Sequence, residues 1–143
     1  MIILDTNVIS EAFKPAPQPA VMKWLDAQDP DTLYITTISF AEMVAGVYKM
    51  PEGRRRSQLS DLIENKTRQT FEGRILDLDM RATEAFGPIS ASAFAAGNPI
   101  AFADCAIASI AWSRAYILAT RNVRDFIGNG IEIINPWPAE TND

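Results

Sequence analysis

Five short apolar runs, each separated from the next by a stretch of helical character, decide what this chain can fold into. Met1-Ile2-Ile3-Leu4 is the first, and it stops abruptly at Asp5-Thr6-Asn7. Leu33–Thr36, Arg74–Leu78, Tyr116–Ala119 and Ile131–Ile134 are the others, short and rich in β-branched residues, as buried strands are. Between them the sequence predicts helices. Asn7 is placed to cap one running to Phe13, the Pro15, Pro17 and Pro19 cluster ends it, and a second spans about Ala20 to Gln28. Ser39 reads as the N-cap of a helix reaching about Tyr48, closed by Pro51-Glu52-Gly53, and Arg54 to about Phe71 is a charged helical stretch. Met80–Ala96 is an Ala-rich helix interrupted at Gly87-Pro88, and Phe102–Ser113 is helical after the Gly97-Asn98-Pro99 turn. Alternating β and α elements call for an α/β fold with a mostly parallel sheet covered by helices on both faces.

At 143 residues this is one domain's worth of chain, expected over 1–136, with a loosely ordered tail at 137–143. The longest weakly charged stretch, Ile100–Trp112, is too short to cross a bilayer and is interrupted by Asp104. No basic region precedes an apolar segment at the N-terminus, and the single Cys105 precludes an internal disulfide. A cytoplasmic protein is expected. The absence of histidine is more restrictive, because it removes the usual zinc sites, a Ser-His-Asp triad and any His-pair ribonuclease centre. Catalysis here has to run on carboxylates, which favour hard cations such as Mg²⁺ or Mn²⁺.

Four positions supply candidate carboxylates. Asp5 ends the first strand, and in open α/β sheets ligands bind outside the carboxyl ends of the strands. Glu42 lies in the helix after the second strand. Its spacing from Ser39 is also that of a capping box, which would spend the carboxylate on a backbone donor. Asp104 is the sole charge between Ile100 and Trp112, where burying an ionised group is costly unless it is paired or holds a metal; the alternative is a residue that favours the helix dipole. Thr120-Arg121-Asn122-Val123-Arg124-Asp125-Phe126 follows another strand end and offers Asn122 and Asp125, the latter equally suited to pair with a nearby arginine. Thr6, Ser39 and Thr120 stay outside the candidate set, since hydroxyls at such places serve equally well as caps.

Asp5-Thr6-Asn7, the helix start carrying Glu42, Ala103-Asp104 in an Ala-rich helix, and Thr120-Arg121-Asn122 through Asp125-Phe126 together resemble the PIN-domain ribonucleases. In length and motif order the chain is similar to the VapC-type toxins of bacterial toxin–antitoxin pairs. None of these motifs is specific alone, but they span nearly the whole chain in the right order. The resemblance implies a five-stranded sheet in the order 3-2-1-4-5, Mg²⁺ or Mn²⁺ held by acidic residues, and endonucleolytic cleavage of RNA by activated water. It also implies a homodimer and a small VapB-type antitoxin that covers the acidic pocket with a basic side chain. On this reading Asp5 and Asp104 hold one cation, while Glu42 and either Asn122 or Asp125 act on a second or through water. Asn122 stands where many relatives have an acid, so the fourth ligand is either that amide or Asp125.

The net charge of −5, from 13 basic and 18 acidic residues, is unusual for a protein that binds RNA, whose affinity ordinarily rests on Lys and Arg. The basic residues are clustered at Arg54-Arg55-Arg56, at Lys66 and Arg68, and at Arg121 and Arg124, either as solvated helix faces or as phosphate contacts. A haloacid-dehalogenase-like phosphatase would also open with a strand and an Asp, but it requires Asp-x-Asp, and the second position is Asn7. A catalytically silent binding module remains as a further alternative.

Overall fold

The computed structural model describes residues 1–140 of the 143. Its strands are β1 (Ile2–Leu4), β2 (Leu33–Thr36), β3 (Ile75–Leu76), β4 (Ile117–Ala119) and β5 (Ile133–Ile134), joined in one five-stranded sheet in the order β3-β2-β1-β4-β5. Every pairing is parallel, with Ile2 opposite both Leu33 and Ile117, and Ala119 opposite Ile134. The first strand is therefore the central one. The edge strands are shorter than the expected Arg74–Leu78 and Ile131–Ile134. Arg74, just before β3, still accepts from the Ile35 N–H at 3.1 Å, and its guanidinium donates to the carbonyls of Pro30, Leu33 and Thr70, which ties the edge of the sheet to the loops around it.

Strand periodicity divides the core in two. Ile3 and Leu118 point to one face, where Ala82, Ala85 and Ile89 of α6 (Met80–Ala95) and the buried run Cys105–Ala111 of α7 (Phe102–Arg114) cover them. Ile2, Leu4 and Ala119 point to the other, under α1 (Thr6–Ala12), α2 (Pro19–Asp26), α3 (Thr37–Tyr48) and the segment that follows α4 (Arg54–Asp61), whose Ile63 is buried there. Small side chains let α6 and α7 approach closely. Cys105 lies between them, its thiol donating to the Phe86 carbonyl at 3.5 Å, and its burial raises the thiol pKa.

Three local expectations are corrected. Asn7 does not cap α1; Asp5 does, accepting from the Thr6 N–H at 2.8 Å, because the strand ends in extended backbone one step earlier. Ser39 does not cap α3 either: the buried Thr36 hydroxyl accepts from the Ser39 N–H at 3.1 Å, and the helix begins at Thr37. The helix from Met80 is not interrupted at Gly87-Pro88 but runs through both to Ala95. Both residues face solvent, so the carbonyl that proline leaves without an intrahelical partner is not sealed in the core. The charged stretch from Arg54 is helical as expected, but it widens into a π-helical turn over Leu62–Thr67, where the Thr67 hydroxyl donates to the Leu62 carbonyl at 3.0 Å, before α5 (Arg68–Thr70). At the C-terminus Pro136 is buried and Trp137 packs on the second core; residues 141–143 of the expected loose tail lie outside the described residues.

Candidate active site

Parallel strands place all their carboxyl ends on one edge of the sheet, and the ends of β1 and β4 are neighbours there. Asp5 extends the ladder by donating its N–H to the Ala119 carbonyl at 2.9 Å, which leaves its side chain just beyond the edge and only 3% exposed. Oδ1 accepts from the Thr6 N–H at 2.8 Å and Oδ2 from the Thr120 hydroxyl at 2.7 Å. Asn7 braces the same junction: its Nδ2 reaches Asp5 Oδ2 and Thr120 Oγ1, each at 3.4 Å, and its Oδ1 accepts from the Arg121 N–H at 3.3 Å.

Glu42 comes from the second turn of α3. With Thr36 as the true cap, its carboxylate is free of the capping-box role and accepts instead from the Thr6 hydroxyl at 2.8 Å. The buried Ser39 hydroxyl lies 2.8 Å from the same Thr6 oxygen, so Thr6 joins α1 to α3 and orients an otherwise exposed acid. Asp104 sits half-buried in the first turn of α7, above a helix that is buried on all sides from Cys105 to Ala111, as its apolar sequence predicts. Asp125 lies in the short α8 (Val123–Phe126) after β4, and it takes part in none of the ion pairs among the described residues. Asn122, on the flank of α8, makes no side-chain cap bond and is exposed.

These acids repel one another. Burial raises the Asp5 carboxyl above its ordinary value despite its donors from Thr120 and Thr6, with the charges of Glu42 and Asp125 adding to the rise. Asp104 is pushed up from 3.8 to about 6, first by burial and then by Asp5, Asp125 and Glu42. None of the four forms an ion pair with Lys or Arg among the described residues. Among the described residues no three of His, Cys, Asp and Glu stand together as a ready-made metal cage. The donor set nevertheless fits a hard divalent ion: it consists of carboxylate oxygens, unbalanced by any side-chain cation, whose repulsion such an ion would relieve.

The residues that sequence reasoning left aside are therefore Thr6 and Thr120, with Asn7 as a brace. Their signal was present, since each is a hydroxyl or amide next to a strand-end acid. A pattern of local spacing cannot show that Thr120 meets an acid 115 positions earlier. Glu11 was also missed. Buried on α1, it accepts from Lys14 at 2.6 Å and from the Gln18 N–H at 3.0 Å, which hold its carboxyl below the usual range and pin the proline-rich loop to the helix.

A parallel α/β sheet with unpaired carboxylates gathered outside the carboxyl ends of its central strands defines a class of acid-lined, strand-edge active sites. Within that class, residues 2–127 match the family described as PIN domain, and the chain belongs to that family. It is 42% identical over 139 residues to the plasmid stability protein StbB of Pseudomonas syringae pv. tomato, covering 97% of this chain and 100% of that one. It is 40% identical to the VapC ribonuclease Y4jK of Sinorhizobium fredii, covering 96% and 98%. It is 35% identical to Toxin FitB of Neisseria gonorrhoeae, covering 96% and 99%. The crystal structure of FitAcB from that organism superposes with a TM-score of 0.90 at 35% identity, over 96% of this chain and 99% of that one.

Proposed function

We propose that this chain is a divalent-cation-dependent endoribonuclease, the toxin of a toxin–antitoxin pair, acting in the cytoplasm as a homodimer. The observation that carries the chemistry is the mutual repulsion of Asp5, Glu42, Asp104 and Asp125 at one sheet edge without a balancing side chain. The relatives named VapC ribonuclease and Toxin FitB support the biological reading.

Asp5 and Asp104 would hold Mg²⁺, or Mn²⁺, with Glu42 and Asp125 acting on a second ion or through water. Bound there, the ion would acidify water and offset charge growing on the scissile phosphate. The chain's own contribution is orientation. Thr120 and the Thr6 N–H fix both oxygens of Asp5, the Thr6 hydroxyl fixes Glu42, and Asn7 keeps β1 and β4 in register beneath them. We assign the fourth position to Asp125 rather than Asn122, because a carboxylate brings the negative oxygen ligand that a hard divalent ion favours and a neutral amide does not. A phosphatase of the haloacid-dehalogenase type draws no support from Asn7, which is engaged as a structural brace.

The antitoxin has a place to dock. Beside Glu42, a groove of about 300 Å³ between α1, α3 and α4 is walled by Phe13, Met43, Val47 and Leu59, apolar enough to take an amphipathic segment whose basic side chain turns into the carboxylates. No helix of the described residues is long and apolar enough to cross a membrane.

The direct test is to incubate the purified protein with single-stranded RNA and Mg²⁺ and map the ends. Internal cuts leaving 5′-phosphate and 3′-hydroxyl, abolished by EDTA, are the expected result. Hydrolysis of a small phosphomonoester without RNA cleavage would replace this reading with the phosphatase; neither activity would leave a binding module.

A further inference from the structure

A second recess lies against Arg121 and Asn122, just past the end of β4, and plays no part in the chemistry above. It has a volume of about 530 Å³, and its walls include Gln18, Arg121, Asn122, Asn135, Trp137 and Glu140. It opens one residue beyond Thr120, whose hydroxyl holds Asp5, so it flanks the place where a scissile phosphate would lie.

Its chemistry is specific. The Arg121 guanidinium is stacked over the Trp137 ring, 5.4 Å from the centroid, and Trp137 is anchored from below by packing on the core. Three primary amides surround this pair. Gln18 accepts from the Ala20 N–H at 2.8 Å and Asn135 from the Trp137 N–H at 3.0 Å, so both carbonyl oxygens are engaged by backbone and each NH₂ is turned elsewhere. Among the described residues neither NH₂ donates to protein, and the Asn122 side chain makes no cap bond. Glu11, by holding the Gln18 N–H, fixes one wall. The lining carries one formal positive charge, on Arg121, and one formal negative charge, on Glu140. A phosphate would meet the carboxylate of Glu140 as well as the guanidinium, whereas a neutral planar group rich in hydrogen-bond acceptors would meet a flat cation–aromatic platform ringed by donors.

We infer that this recess seats a nucleobase of the RNA strand next to the cleavage site, stacked on the Arg121–Trp137 pair and read by the amides of Gln18, Asn122 and Asn135. Single-stranded RNA is recognised in this way, by stacking on aromatic and guanidinium planes with hydrogen bonds to the base edge. The inference rests on the endoribonuclease reading and adds to it the source of base preference. Trp137, Arg121 and Asn122 are substrate-contact residues, distinct from the carboxylates.

The test uses the Asp5→Asn variant in Mg²⁺, which removes cutting and leaves the recess intact, and compares a labelled RNA hexamer with a hexamer of abasic ribose units. The base-bearing strand should bind about tenfold more tightly, the order expected for one stacked base. Arg121→Ala and Asn122→Ala, both exposed, should each erode that difference while changing the abasic affinity far less. Trp137→Leu should abolish it, and because that ring also packs on the core, the two exposed substitutions keep the test decisive if it misfolds. Equal weakening of both hexamers, or weakening of neither, would overturn the recess. Cleavage of the same hexamer by the unsubstituted protein is scored separately: its absence, with base-dependent binding preserved, removes the nuclease reading and retains the recess.

Discussion

The Thr120 hydroxyl donates to Asp5 Oδ2 at 2.7 Å, joining the ends of two neighbouring parallel strands through a side-chain bond that is itself buried. The bond does two things: it orients the carboxylate at the centre of the sheet, and it partly offsets the cost of burying a charge there.

Thr120→Val keeps the shape and removes the donor. It should cost about 1–3 kcal/mol, the penalty for leaving a buried polar group without its partner. Urea denaturation of the metal-free protein measures it. An unchanged midpoint would show that Asp5 is satisfied by Thr6 and Asn7 alone.

Asp5→Asn should abolish RNA cleavage while leaving the fold intact. The amide oxygen still accepts from the Thr6 N–H, so α1 keeps its cap, but the charge is gone. Far-UV circular dichroism and an RNA cleavage assay on the same preparation check both halves, and full activity in a folded variant would remove Asp5 from the site.

Asp125→Asn should reduce cleavage far more than Asn122→Ala when both are assayed at saturating RNA, because of these two residues only Asp125 carries a charge for a cation to meet. The reverse order would make the amide the fourth ligand, and equal, near-normal rates would leave a three-carboxylate centre.

Millimolar Mg²⁺ or Mn²⁺ should raise the melting temperature, since an ion bound only by the folded chain adds roughly 2.7 kcal/mol at 100 times its dissociation constant. The rise should largely vanish in Asp5→Asn and Asp104→Asn. Monovalent salt at matched ionic strength is the control. An equal response to both salts, or an undiminished response in the variants, would show that these acids share no ion.

Asp104 sets the pH dependence. Its folded-state value, about 6, lies above the ordinary 3.8, so between those values the folded chain holds more proton than the unfolded one. Stability must then fall as pH rises through this window. The metal-free protein should therefore lose stability relative to Asp104→Asn between pH 4 and pH 7, read as the difference in their melting temperatures. Mg²⁺ affinity should rise over the same range as the proton leaves. A difference that does not change with pH would place Asp104 in an ordinary solvated setting.

Much of the architecture was legible because it depends on local pattern. The alternation of strand-like and helix-like runs predicts a covered parallel sheet, and the lone charge in the apolar run around Asp104 marks it as unusual without reference to any other residue. The sheet order came from the family resemblance, since periodicity does not say which parallel strand neighbours which. Thr6 and Thr120 could not be distinguished from ordinary caps, because their partners, Glu42 and Asp5, are far away in sequence. The start of α3 was misplaced by local chemistry too: Thr36 and Ser39 are both good caps, and only the end of β2 decides between them.

Because β1 lies in the middle of the sheet and takes β4 as one of its two neighbours, the order of synthesis and the order of assembly run against each other. During translation the Asp5 carboxylate leaves the ribosome well ahead of its Thr120 partner, which lies 115 positions further along the chain. Contacts so distant along the chain form late, because the intervening loop must close before they repay its entropy. A nascent or prematurely terminated chain lacking β4 has no completed centre, so a cell making this protein meets no active fragment. The centre of the sheet is thus laid down first and finished last.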